Sequence, residues 1–174
     1  RAFSLVELSI VLVILGLLVG GILSGQSLIR AAELRSVIAD LNKYQTAINT
    51  FRDKYFALPG DMTNATAVWG VRAGTGSDVT CHQTLATFTG TCNGDGNGQI
   101  QTISGDASYG ERFLFWQHLA KAGLIEGNYT GASGSAASEV RVAGTNLPKP
   151  KIGNAYFMMA YHAGPISGHA ELYD

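Results

Sequence analysis

The chain has 174 residues, enough for one globular domain plus an anchor and too few for a second independent core. Its formal net charge of -1 supplies no long-range basic field for nucleic acid or anionic lipid, so any DNA contact would be local. Hydrophobic residues make up 46% and charged residues only 14%, an imbalance concentrated in part at the N-terminus.

From Leu8 to Ile29 there is no charged side chain. A membrane-spanning helix needs roughly 20 mainly apolar residues, so this stretch is long enough to cross a bilayer. The apolar run exceeds the roughly 7 to 15 residues of a secretory signal core, and it passes without a turn signal into an amphipathic pattern; cleavage after it is not expected. Glu7 stands at its apolar start. It either complements the helix dipole at the interface or waits for a positive partner on another chain, the default reading of an ionisable group in a membrane segment. Past Ile29 the residues Leu34, Val37, Ile38, Leu41, Tyr44, Ile48, Phe51 and Tyr55 recur at spacings of three and four, which predicts one continuous helix from about Phe3 to Phe56. At about 1.5 Å per residue it would approach 80 Å. Gly16, Gly20, Gly21 and Gly25 interrupt the apolar half as weak points or as places of close helix approach.

The run Ala2-Phe3-Ser4-Leu5-Val6-Glu7, followed by a long apolar helix, resembles the processing signature of type IV pilins and type II secretion pseudopilins. The resemblance covers Ala2 to about Phe56. It implies cleavage between Ala2 and Phe3, N-methylation of the Phe3 amine, and pairing of Glu7 with a neighbouring subunit's amine. Arg1-Ala2 would then be a leader remnant; Ala2 replaces the Gly that the family usually has before the cut. Pilins often carry a mid-anchor proline where the helix loosens in the filament. This chain has none there, so the glycines at 16, 20, 21 and 25 would have to serve.

The helix is expected to stop at Ala57-Leu58-Pro59-Gly60-Asp61. Asn64 to Gly110 then reads as a long turn-rich loop, and Ser108 to Gly123 as a second, short helix. Leu124-Ile125, Glu139 to Val142 and Ala155 to Tyr161 read as strands. The expected fold is α+β: a long spine helix packed on a small antiparallel sheet head with a second short helix, as in pilins. Residues 3–29 would be the transmembrane or filament-core half, 30–56 the amphipathic half and 57–174 the globular head.

Cys81 and Cys92 lie close together, and in the oxidising compartment of an exported domain they are expected to form a disulfide. The stretch Asn93-Gly94-Asp95-Gly96-Asn97-Gly98 approximates the opening of a calcium loop, in which alternate side-chain oxygens meet a hard cation. Ser104 stands where a full EF-hand has its bidentate carboxylate, so Asn93, Asp95 and Asn97 would need Asp106 or Glu111 to close a calcium site; the alternative is a solvated turn. His82, His118, His162 and His169 lack metal-binding spacing, and no nucleophile elbow or phosphate loop is present, so the chain is not expected to be an enzyme or to take a small-molecule substrate. The two glycosylation-like triplets at Asn64 and Asn128 are short enough to arise by chance.

These features, together with the resemblance, lead to an expected function: a structural subunit that polymerises with copies of itself into a type IV pilus-like filament for adhesion, motility or DNA uptake. The resemblance implies a prepilin peptidase and inner-membrane assembly machinery as partners. It also implies residence in a bacterial inner membrane before assembly and in an extracellular or periplasmic filament afterwards. The alternatives are a type II secretion pseudopilin or minor pilin, and a membrane-tethered binding module with no filament role.

Overall fold

The computed structural model describes residues 4–72, 81, 89–100, 110–132, 141–153, 155–159 and 170–173. Helix α1 spans Leu5–Tyr55, 51 residues without a break, or about 75 Å. It starts where Ser4 adopts an extended backbone and donates its N–H to Glu7 Oε2 at 2.9 Å, satisfying one of the amides that no helical carbonyl can reach. At the other end Phe56 takes the left-handed conformation at φ 53° and closes the last turn by donating its N–H to the Arg52 carbonyl.

The two halves of α1 face different surroundings. The side chains of Leu5 to Ile29 lie exposed, and the apolar window there has none of its residues buried. Burial begins at Val37 and continues through Tyr44, Ala47, Ile48 and Phe51, with Leu41 and Tyr55 partly covered. Leu34 and Ile38, expected on the buried stripe, are exposed at 57% and 59%. The head covers a narrower strip of the helix than the periodicity suggests.

The short helix α2, Ala65–Trp69, lies within the stretch read as loop. Helix α3, Gly110–Lys121, is the centre of the head: Phe113, Leu114, Phe115, Trp116, Gln117, His118 and Leu119 are all buried. Such all-round burial follows from a run with almost no polar outer face. Tyr44 of α1 meets Trp116 of α3 and Phe157 edge-on, each at 5.0 Å between ring centroids. Phe51 stacks on His118 and leans on Tyr55.

The head is not built on the expected sheet packed against the spine among the described residues. The described strands are β1, Tyr156–Met159, and β2, Ala170–Tyr173, which form one antiparallel pair with Phe157 opposite Leu172. Leu124-Ile125 is not a strand, nor is Arg141-Val142, the part of the expected strand Glu139 to Val142 that lies within the described residues, and no sheet of several strands underlies the spine among the described residues. The spine packs on α3 and β2, and α3 packs on β1, so a helix occupies the place assigned to the sheet. The physical reason lies in the segments themselves. Leu124-Ile125 is confined between Gly123 and Gly127, both at positive φ, and the Leu124 N–H is spent on the Leu119 carbonyl at the end of α3; around Val142 side chains take the place of a ladder. Asn146, for example, accepts the Val142 N–H and donates to the Ala132 carbonyl.

Candidate functional site

Two regions carry the residues singled out by the sequence. At the N-terminus, Ala2 and Phe3 lie outside the described residues. Glu7 is placed within the first turn of α1, where its carboxylate caps its own helix through the Ser4 amide. Gly16, Gly20, Gly21 and Gly25 sit in unbroken helix, and an added Cβ at any of them would meet no atom within 4 Å. In the single chain Gly16, Gly20 and Gly21 are exposed and Gly25 is half-buried.

The second region is the head loop from Asn93 to Gln99. Its organiser is Asp61, from the turn that follows α1. One carboxylate oxygen of Asp61 accepts the Gly96 N–H at 2.7 Å and the Asn97 N–H at 3.1 Å, and the other accepts the Gly98 N–H at 2.9 Å. The loop is thus wound around a buried acid. Two glycines make the approach feasible: a Cβ on Gly94 would lie 2.4 Å from the Gly60 carbonyl oxygen, and one on Gly60, at φ 90°, would lie 2.5 Å from that of Glu111.

Asp95 donates its backbone N–H to Glu111 Oε1 at 3.1 Å, tying the loop to the first turn of α3. Carboxylate oxygens of Asp61, Asp95 and Glu111 lie within 4.8 Å of one another, so this cluster could hold a metal ion. Asp61 and Glu111 are buried and Asp95 is exposed. Burial pushes the Asp61 carboxyl above its ordinary range; amides from Gly98 and Gly96 oppose that rise and Asp95 adds to it.

The expected ligand set divides. Asp95 and Glu111 come together. Asn97 turns inward on its own loop, donating its side-chain amide to Asp95 Oδ2 and accepting the Gln99 N–H. Asn93 points to α2, where Oδ1 accepts the Thr66 N–H at 2.9 Å. Asp106 lies outside the described residues. Asp61 was missed because it is distant in sequence; the signal that could have found it is the Pro-Gly-Asp turn, which leaves an acid after two residues that favour tight backbone approach.

Cys81 and Cys92 form a disulfide with Cα atoms 5.9 Å apart. Beside it runs a polar network that the sequence did not reveal. The buried Arg72 donates to the carbonyls of Cys81 and Thr130 and to Gln117 Oε1. Gln117 also accepts the Thr91 hydroxyl at 2.7 Å. His118 Nδ1 accepts the Gly60 N–H at 3.0 Å, which leaves its Nε2 to face Thr91 and Cys92. These bonds place α3 as the common support of both loops. No family model, curated protein or solved structure matches the chain.

Proposed function

We propose that this chain is a structural filament subunit of the type IV pilin kind, held in the inner membrane before assembly and polymerised through α1 afterwards. The observation that carries this reading is the division of one unbroken helix. Its charge-free half is long and apolar enough to cross a membrane and is wholly exposed, while its other half is built into the core of the head. Exposed side chains such as Leu12, Leu15, Leu18 and Leu23 need an apolar surrounding, and burying them releases about 25 cal/mol per Å². Lipid supplies that surrounding to a single subunit; packed copies of the same helix supply it in a fibre.

Glu7 adds the second element of the reading. Its carboxylate lies one turn from the chain start, where cleavage after Ala2 would leave the Phe3 amine as a cation for it to meet on a neighbour. Glu7→Ala is expected to leave membrane insertion intact while fibres are lost or lose their stagger. Electron microscopy of sheared surface material, with mass spectrometry of the chain start, reads both points. Abundant fibres beginning at methylated Phe3 support a major subunit; normal fibres from the Glu7→Ala chain would contradict the pairing role.

In the head, the reading assigns calcium to the Asp61, Asp95 and Glu111 cluster, because all three donors are hard carboxylate oxygens. Calorimetry of the full chain in detergent with calcium, and with magnesium as comparison, tests it. Absence of binding heat and of any change in melting temperature would remove calcium from the proposal.

A further inference from the structure

The C-terminal end of α1 opens onto a groove of about 1040 Å³. Its walls include Asn49, Arg52, Asp53, Phe56, Asp61 and Gly98. Three of its features favour an ammonium group. Asp53 is exposed on this wall and is in no ion pair among the described residues. The end of a long helix carries negative partial charge, which attracts cations. Phe56 presents its ring 93% exposed at the rim, from a left-handed backbone that disfavours a side chain with Cβ. An aromatic face beside a carboxylate is a surface suited to a lysine head group.

The same molecule carries a matching group outside the groove lining. The segment Pro148-Lys149-Pro150-Lys151 shows both lysines exposed, and neither is in an ion pair among the described residues. It is held stiffly: Pro150 is buried, and the Pro148 carbonyl accepts the Phe157 N–H at 2.9 Å. Phe157 packs on Tyr44, some three turns or about 18 Å of helix rise before Phe56, so the basic segment is anchored at a different level of α1 from the groove.

The geometry points to a head-to-tail contact in which Lys149 and Lys151 of one copy enter the groove beside Asp53 and Phe56 of the next. A contact between two different surfaces of the same chain repeats without closing, as a fibre requires. A preformed segment loses little freedom on docking, which favours this occupant over a mobile one. The inference rests on the filament reading for its setting and adds to it a specific contact between heads.

The test is a cysteine pair, Asp53→Cys with Lys151→Cys, in the full chain produced in membranes; the native cysteines are already joined to each other. Mild oxidation followed by non-reducing electrophoresis is expected to give a ladder of covalent multimers, and each single substitution is expected to give none beyond a dimer. Charge reversal supplies the second measurement: Lys151→Glu weakens fibre yield at least several-fold, and Asp53→Lys in the same chain restores it. Fibres without a ladder and without rescue would overturn this contact while leaving the filament reading in place. A ladder in membranes that yield no fibres would keep the contact and remove the filament. Neither ladder nor fibres would overturn both.

Discussion

At the scale of single residues, Asp61 does more for the head than any acid singled out in advance. A buried carboxylate that accepts three backbone amides fixes the loop that wraps it. Asp61→Asn keeps the size but turns a donor toward one of those amides, and is expected to cost about 1 to 3 kcal/mol in urea unfolding near neutral pH. The pH dependence has a definite sign. Because desolvation, with Asp95 adding to it, raises the folded pKa of Asp61, the folded state holds its proton when the unfolded chain has lost it. Stability from this group is therefore greatest below the unfolded carboxylate range and falls as pH rises through the raised value. The stability gap between the parent chain and Asp61→Asn should widen as pH is lowered from about 7 toward about 4.5. A gap that stays constant would show that Asp61 titrates alike in both states. Arg72 is the opposite charge under similar burial: removal from water pushes its guanidinium down to about 10, still protonated at neutral pH.

Among the elements, α1 and α3 were legible in the sequence because their period is local, whereas the five residues of α2 are too few to show one and read as loop. The stripe from Leu41 to Tyr55 and the aromatic run from Phe113 to Leu119 each announce a helix. What the local pattern could not convey was how many sides of α3 are buried, since that depends on which distant loops cover it. Leu124-Ile125 looked strand-like for the same reason that it packs, being apolar between turns, and its length is too short to decide between the two. The site was half legible: the Asn93 to Gly98 repeat marked the loop, and Glu111 marked the helix that meets it. Asp61 was hidden because its partners are backbone amides of residues 96–98, which leave no trace in composition. The disulfide belongs at this scale too. It closes an 11-residue separation, for which chain entropy predicts about 3 kcal/mol. It also holds the Cys81 carbonyl on Arg72. Cys81→Ser with Cys92→Ser should therefore lose at least that amount in chemical unfolding, and a loss below about 1 kcal/mol would mean the loop is held without the bond.

For the whole molecule, the governing fact is that one half of α1 is exposed while the other is built into the head. Its buried residues begin at Val37, and the described head makes its core with Tyr44, Ala47, Ile48 and Phe51. Nothing in the segment Leu5 to Ile29 is buried against the head, so the exposed half contributes to the chain's surroundings rather than to head stability. Deleting residues 1–29 is accordingly expected to leave a head that stays in solution without detergent. The unfolding free energy of the head should change by less than about 0.5 kcal/mol, the range of substitutions that touch no buried group. The new start at Arg30 leaves two turns of helix before Val37, and fraying there removes no core contact. Comparing urea titrations of the deletion with those of the full chain in a mild detergent measures the difference directly. A loss of several kcal/mol would mean that the first half of α1 supports the head after all, and that the helix does not divide its duties near Ile29.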